Sequence, residues 1–371
     1  MRIGDVYAER SERGAEDMEL LSVTMNDGVK MRSDIEGKDN SSEDKSNYKI
    51  VRAGDMVYNS MRMWQGANGI SPWDGIVSPA YTVLKPRMPI SNGFFAALFK
   101  THRLINEFRK NSQGMTSDTW NLKYPQIETI KTCIPALAEQ EKIADFLMAL
   151  DHRIEKQRTL VEHLKKYKRG VIERMITELT MDCDLRKISS FAKCVAGATP
   201  DTKNHEYWDN GTIPWLSSGE VNKKRITSTD KFITPLGYQK TSTKMLPIKT
   251  VIVALAGQGK TRGTVAITEK EVCTNQSLAG IITDNTVDSE YLFYYLETQY
   301  DNLRILSSGD GTRGGLNLQL INDYLVPTPS LDKQKFIATF GTLIDKNISG
   351  NENLLNQLQL MRSAMLQQLF V

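Results

Sequence analysis

The run TVIVALAGQGKT (residues 250–261) is where this chain comes nearest to reactive chemistry, in the form of a phosphate-binding loop. Such a loop needs G-x-x-x-x-G-K-[ST], so that backbone amides wrap the phosphates ahead of a helix N-terminus. Gly259, Lys260 and Thr261 satisfy the end of the pattern, but Ala254 stands where its first glycine belongs. RGTVAIT follows at once and reads as a strand, which leaves no helix dipole behind the loop. A nucleotide-hydrolysing enzyme therefore has only this defective loop in its favour. The same residues suit another role, because small residues let a backbone approach a polyanion, and Lys260 and Arg262 can meet phosphates. Other catalytic patterns are missing. HExxH, GxSxG and the paired-proline methyltransferase motif do not occur, and His102, His152, His163 and His205 lack metal-ligand spacing. Pro200-Asp201-Thr202-Lys203 matches a fragment of a nuclease motif without its second acid. Cys133, Cys183, Cys194 and Cys273 are scattered without CxxC spacing, which points to free thiols rather than zinc or disulfides. The chain is expected to do no chemistry of its own and to hold no cofactor or metal.

Polar and aromatic residues on glycine-rich loops point instead to double-stranded DNA. MRMWQGANGISPWDGIVSPAYTVLKP (61–86) sets Arg62, Trp64 and Gln65 on a loop and Ser78 and Tyr81 just after it. Arg and Gln can read base edges, and hydroxyls and ring tips can meet phosphates or bases. Thr119 and Asn121 close the same region. In the second half the candidates are Thr199, Tyr207, Trp208, Ser217, Lys260, Arg262, Asn275, Gln276 and Arg313, although the Trp208 indole also suits core packing. A net charge of +3 over 371 residues allows nucleic-acid binding without demanding it.

These loops need elements to hold them. Apolar runs at 20–24, 56–59 and 76–84 read as strands, and 94–108 as a helix. In the second half, runs at 213–216, 250–255, 264–267 and 278–283 read as strands and 289–300 as a helix. Each region ends in a long amphipathic stretch. In residues 137–177, Leu147, Leu150, Ile154, Val161, Leu164, Val171 and Met175 recur at three- and four-residue steps, with Gln157 and Lys168 filling the gaps. That is a coiled-coil seam about 60 Å long. The C-terminal stretch lies on it in one register: Leu137 meets Leu331, Gln140 meets Gln334, Phe146 meets Phe340, Asp151 meets Asp345, and Lys168 meets Arg362. Its own seam runs through Ile344, Ile348, Leu355, Leu358, Met365 and Leu369. Matched polar breaks imply an internal repeat and two helices packed antiparallel on each other. The expected organisation is α+β: a reading domain at 1–136, a long helix at 137–180, a second reading domain at 181–329 and a closing helix at 330–371. The basic cluster Lys165, Lys166, Lys168, Arg169 and Arg174 reads, taken alone, as a solvated helix face. No apolar run is long enough for a membrane span, and MRIGDVYAER lacks a signal core, so a cytoplasmic location is expected. A coiled-coil scaffold that only joins proteins would explain the helices but leave the two glycine- and tryptophan-decorated regions without a role.

GATPDTKNHEYWDNGTIPWLSSGEV (197–221) resembles the opening signature of target-recognition domains in the specificity subunits of type I restriction-modification enzymes. DGIVSPAYTVLKP (74–86) is similar to the mid-domain motif of that family, and PALAEQEKIADFLMALD and PSLDKQKFIATFGTLID resemble its two conserved regions. The resemblance covers nearly the whole chain, but the first half lacks the G-x-T-P…Y-W…I-P-W signature, so the two reading domains are of different sequence types. The resemblance implies that each domain reads one half of a split, asymmetric DNA site and that the paired helices set the unread spacer. It also implies that the helices hold two modification subunits, which bind S-adenosylmethionine and methylate adenine at N6. A restriction subunit using ATP and Mg would join them to cleave DNA.

Overall fold

The computed structural model describes residues 1–14, 17–25, 28–35, 37, 39, 41–116, 120–257, 260–306 and 315–370. They form two compact units, Met1–Thr159 with Asn353–Val371, and Leu160–Glu352.

The first unit runs α1 (Ile3–Val6), β1 (Tyr7–Glu9), β2 (Leu21–Thr24), β3 (Gly28–Met31), β4 (Lys49–Val51), β5 (Met56–Asn59), β6 (Asn68–Ile70), β7 (Gly75–Val77) and β8 (Tyr81–Pro86). Then come α2 (Asn92–Leu98), α3 (His102–Asn111), α4 (Tyr124–Ile127) and the long α5 (Leu137–Thr180). The main sheet has the order β1-β8-β5-β6, with every pairing antiparallel. Both of its faces are covered, so β5 is buried along its apolar length. Alternate residues part to opposite sides, as strand geometry requires. Met56, Tyr58 and Leu84 join Phe94, Phe95, Phe99 and Phe108 on the helical side, while Val57 and Val83 join Val23, Val51 and Val77 of the small β2–β3 and β4–β7 pairs.

Two runs expected as single elements are each divided in the structure. The run 76–84 is two strands, because Pro79 cannot donate to a ladder and the chain turns there, with the Tyr81 N–H bonded to the Ser78 carbonyl at 2.9 Å. β7 then pairs with β4 and β8 with β5. The run 94–108 is two helices, because the Thr101 hydroxyl accepts from the Leu104 N–H (3.4 Å) and starts a new N-terminus.

The second unit contains β9 (Leu185–Lys187), β10 (Ala192–Ala196), β11 (Ile213–Leu216), β12 (Arg225–Ile226), β13 (Lys231–Ile233), α6 (Pro235–Gln239), β14 (Val251–Ala254), β15 (Val265–Thr268), β16 (Cys273–Thr274) and β17 (Leu278–Thr283). It continues through α7 (Ser289–Thr298), α8 (Tyr300–Leu306), α9 (Leu318–Asp323), β18 (Leu325–Pro327) and α10 (Leu331–Gln368). Its main sheet reads β10-β17-β14-β15-β12, and its first four members stand in the chain order and pairing sense of β1-β8-β5-β6. A smaller sheet, β13-β11-β16, lies beside it. Helix α7 buries Tyr291 through Leu296, against Ile172 and Ile176 of α5 and Ile337 of α10.

The long helices pack antiparallel within each unit. In the first, Leu147 and Ile143 of α5 meet Leu366, Met365 and Phe370, and the Arg362 guanidinium clasps Asp151, with Nη2 3.0 Å from Oδ2. In the second, Lys165 bonds Glu352 at 2.6 Å and Lys168 bonds Asp345 at 2.8 Å. Asp151 and Asp345 are the matched positions of the sequence repeat, as are Lys168 and Arg362, so one charge clamp occurs twice with its signs exchanged between the helices. The seam buries Leu147, Leu150, Ile154, Val161, Ile344 and Ile348, and half-buries Leu164, Leu355, Leu358 and Met365. It departs from the expected register at the helix ends. Ile172 and Ile176 are buried where Val171 and Met175 are only half so, and Leu366 (7% exposed) is covered while Leu369 (36%) is not. The C-terminal end of α5 turns toward the core of the second unit, which moves its buried stripe by one residue, while Leu366 packs on Leu147 of α5 and Ala97 of α2. Gln157 is buried in the seam.

Each helix is locked at its start by a buried glutamine. Gln140 accepts from the Ser91 N–H (3.1 Å) and donates to the Pro135 carbonyl (2.9 Å). Gln334 accepts from the Asp288 N–H (2.8 Å) and donates to the Pro329 carbonyl (2.8 Å). Ser91 and Asp288 are themselves the N-caps of α2 and α7.

In the second unit an ionic cluster joins the helices to the sheet. Arg225 reaches Glu290 (2.7 Å), Glu269 (2.7 Å) and the Tyr294 hydroxyl (2.8 Å), Lys249 reaches both carboxylates, and Lys168 and Lys224 reach Glu297. Lys224 (φ 61°) and Lys249 (φ 66°) hold positive-φ backbone, at a cost of about 1–3 kcal/mol each outside glycine. Both direct their ammonium groups into this cluster.

Candidate nucleic-acid interface

In the first unit, β5 ends at Asn59 opposite Tyr81, where β8 begins. Ser60 ties the loops at this sheet end together. Its N–H donates to Ala80 O (3.3 Å), its carbonyl accepts from the Leu122 N–H (2.8 Å), and its hydroxyl meets that of Thr82 (2.8 Å). Arg62, Trp64, Gln65, Ser78, Tyr81 and Asn121 are thereby gathered at one end. Arg62 is exposed and Gln65 half-buried on the turn Met63–Gln65, and Gly66, at φ 87°, lets the chain reverse after it. Trp64 donates from Nε1 to Met61 O (3.1 Å) and sets its ring edge against Trp120, with centroids 5.2 Å apart. Tyr81 is tied to the scaffold, its hydroxyl 3.2 Å from Ser22 Oγ and its carbonyl accepting from Lys49 Nζ (2.8 Å). Ser78 shapes the turn. Asn121 bridges Gln113 through its backbone, and its buried Oδ1 meets no hydrogen-bond donor among the described residues. Thr119 lies outside the described residues.

The second unit repeats this plan. β14 ends at Ala254 opposite Leu278, the first residue of β17. The Leu255 N–H donates to Ser277 O (2.8 Å), the Ala198 N–H to Thr274 O (2.9 Å) and the Asn275 N–H to Leu216 O (3.1 Å). These bonds bring Thr199, Ser217, Asn275, Gln276 and the β14–β15 connection to the same end. The Thr199 hydroxyl bonds Gln276 Oε1. Asn275 Oδ1 accepts from the Ser277 N–H (3.2 Å). Ser217 is committed to structure: its N–H and hydroxyl both serve Glu220. Burial works against the Glu220 charge, but the bonds from Lys223, Ser217 and Asp230 outweigh it and hold that carboxyl below its ordinary value. Lys260 is exposed, and its carbonyl accepts from the Tyr300 hydroxyl (2.9 Å), while Arg262 is half-buried in the same connection. Gly263 N–H to Ala254 O and Ala254 N–H to Thr264 O, each 2.9 Å, close an antiparallel hairpin. A strand rather than a helix follows the loop, which removes the basis of a triphosphate site. Gln258, Gly259 and Arg313 lie outside the described residues.

Tyr207 and Trp208 play a different part. The Tyr207 carbonyl accepts from the Thr234 N–H (2.9 Å), and Trp208 donates to Asp201 O (3.0 Å). The Trp208 ring stands edge-on to Trp215 at 5.0 Å, in the small core with Ile233 and Cys273. Trp215 in turn donates to Ala198 O (3.1 Å). The two indoles thus buttress the segment that carries Thr199. Close approach matters there, because a Cβ on Gly197 would sit 2.1 Å from Thr274 O. Gly197→Ala is expected to lower the unfolding free energy by about 1–3 kcal/mol, the range for overpacking. Chemical denaturation checks it; an unchanged midpoint would mean that the segment is not held against Thr274.

Sequence reasoning passed over Trp120, Arg109, Tyr300 and Arg304, which the fold brings to these ends. Their signal was obscured because each sits on a helix or beside a loop that reads as plain surface. Among the described residues no three His, Cys, Asp or Glu side chains group as a metal site, and all four cysteines are free. No helix among them is long and apolar enough to cross a membrane.

A family model described as the type I restriction modification DNA specificity domain matches residues 26–164 and 181–360. The MjaIX specificity subunit of Methanocaldococcus jannaschii is 30% identical over 189 residues, 48% of this chain and 43% of that protein. The EcoR124I/EcoR124II specificity subunit of Escherichia coli is 21% identical over 159 residues, 42% of this chain and 39% of that protein. The chain thus spans less than half the length of either relative. Among solved structures, the type I S subunit from M. genitalium superposes with a TM-score of 0.61 at 14% identity, covering 100% of this chain and 95% of that one. The HsdS subunit from Thermoanaerobacter tengcongensis gives 0.54 at 15%, with 100% and 95% covered. These structures share the fold: two mixed α/β domains and two long helices packed together.

Proposed function

We propose, from the premise that this chain belongs to the type I restriction-modification DNA specificity family, that its two sheet ends read the two halves of one bipartite, asymmetric duplex target. Recognising a DNA target is what membership implies. The bipartite reading is supported by one observation above all: in both units the candidate side chains converge on the same end of the corresponding sheet, yet the two sets differ. Arg62, Gln65 and Asn121 stand at one end, and Thr199, Gln276, Lys260 and Arg262 at the other. Equivalent scaffolds with unlike side chains suit unlike half-sites. Joining two readers in one chain also lets the second half-site be met at high effective concentration.

On this reading the chain is non-catalytic. Its helices α5 and α10 space the readers and hold two modification subunits, which bring S-adenosylmethionine and methylate adenine at N6. A restriction subunit brings ATP, Mg and cleavage. The basic cluster Lys165, Lys166, Arg169 and Arg174 then faces spacer DNA or a modification subunit. The test is to express the chain with modification subunits and map the N6-methyladenines. A recurrent split motif is expected, and replacing the 61–81 loops with those of another sequence type should change one half of it. Methylation without a shared motif, or a change in both halves, would favour a scaffold that joins proteins without reading DNA.

A further inference from the structure

We infer that Arg109 and Arg304 are a matched pair of DNA phosphate contacts, one at each reading end, held ready by an aromatic ring. The inference rests on the DNA-reading function just proposed. In the first unit, the exposed Arg109 near the end of α3 places its guanidinium 5.6 Å from the Trp120 ring, which in turn meets Trp64. In the second, Arg304 of α8 lies 5.4 Å from the Tyr300 ring and donates from Nη1 to the Tyr300 hydroxyl at 2.7 Å. That hydroxyl donates onward to Lys260 O. Both arginines come from the second helix after the last strand of the unit's main sheet, and both stand where the candidate readers gather. α3 packs on the Arg62–Gln65 turn through Ile105, which a Cβ on Gly66 would meet at 3.3 Å. α8 packs on the Lys260–Arg262 hairpin through Arg304 itself, 3.2 Å from a Cβ placed likewise on Gly263.

Ring stacking fixes the aliphatic stem and the plane of a guanidinium while leaving most of its five donors to other partners. An arginine set this way loses little side-chain entropy on meeting a phosphate, and its fork suits two phosphate oxygens. Nearby acids do not cancel the charge of Arg109, because Glu107 is engaged by Lys110 at 2.7 Å. Arg109 also makes, among the described residues, no carboxylate bridge of the kind that fixes Arg225 or Arg362. Asp301 lies one turn before Arg304, exposed on the helix surface. Phosphate contacts give register rather than sequence information, so the pair would position each unit on the duplex and leave base reading to the loops beside it.

The experiment measures duplex binding by the full chain against salt, using a random-sequence duplex pool as the probe. Arg109→Met and Arg304→Met keep the stem over the ring but remove the charge, while Arg109→Lys and Arg304→Lys keep the charge. Each Met variant should lower the slope of log K against log salt by about 0.9, and the double variant by about 1.8, with the unfolding midpoint held and the Lys variants near wild type. Wild-type slopes in both Met variants would overturn the inference and leave the DNA-reading function standing. A wild-type chain that shows no salt-dependent duplex binding would instead remove the function on which it rests. Should a Met variant unfold, a Lys variant that folds and still loses the slope would also overturn it, because the charge would then be present and idle.

Discussion

Arg225→Met should destabilise the second unit by about 3 kcal/mol. Removing one partner of a fully buried ion pair costs roughly 3–5 kcal/mol, because the other charge is stranded. Arg225 keeps about a quarter of its side chain exposed, with Glu290 at 15% and Glu269 at 26%, so the lower end of that range applies. Lys249 also reaches both carboxylates and limits the loss further. The pH dependence has a definite sign. Burial works against the Glu290 charge, but hydrogen bonds from Arg225 and Lys249 prevail and hold its carboxyl below the ordinary value. Its contribution is therefore complete above the unfolded-state value of about 4.3 and is lost as pH falls through the folded one. The gap between wild type and variant should narrow on acidification through that range. Urea unfolding at neutral and acid pH measures both. A loss under about 1 kcal/mol at neutral pH, the usual worth of an exposed pair, would mean that the cluster is solvated rather than structural.

Replacing Lys260 and Arg262 together by alanine should weaken duplex binding about tenfold at moderate salt and lower the salt slope by about two, the signature of two lost phosphate contacts. The hairpin itself should survive, since its closing bonds are between backbone groups at Ala254, Gly263 and Thr264. A binding assay over a salt series, run beside a thermal unfolding control, decides it. Unchanged affinity would move the phosphate contacts elsewhere on that sheet end.

Much of this architecture is legible in the chain itself, for reasons that differ by element. The strands Met56–Asn59, Ile213–Leu216 and Leu278–Thr283 stand as read, because each is a short β-rich run between turn residues. The helix pair is legible because its seam and polar breaks recur in one register, and the clamps Asp151–Arg362 and Lys168–Asp345 lie at those breaks. Periodicity fails where tertiary context decides. It could not see that Pro79 divides β7 from β8, that the end of α5 turns its stripe toward a globular core, or that Leu366 rather than Leu369 is covered. The candidate interface was legible as a set of loops but not as a surface. Trp208 and Ser217 have the right chemistry for DNA, yet hydrogen bonds and ring packing commit them to the scaffold. Arg109 and Arg304 have ordinary helical surroundings in sequence, and only folding sets them on Trp120 and Tyr300.

The glutamine locks have a consequence for how such a chain can diversify. Gln140 and Gln334 commit both ends of their amides to main-chain groups, at Ser91 and Pro135 in one unit and at Asp288 and Pro329 in the other. A lock that grips only backbone is indifferent to the side chains around it. The residues that face a ligand can therefore be exchanged wholesale while the joint to the helix keeps its geometry. Novelty in one half need not be matched by compensating change in the other, and new specificities can accumulate by shuffling rather than by coordinated redesign.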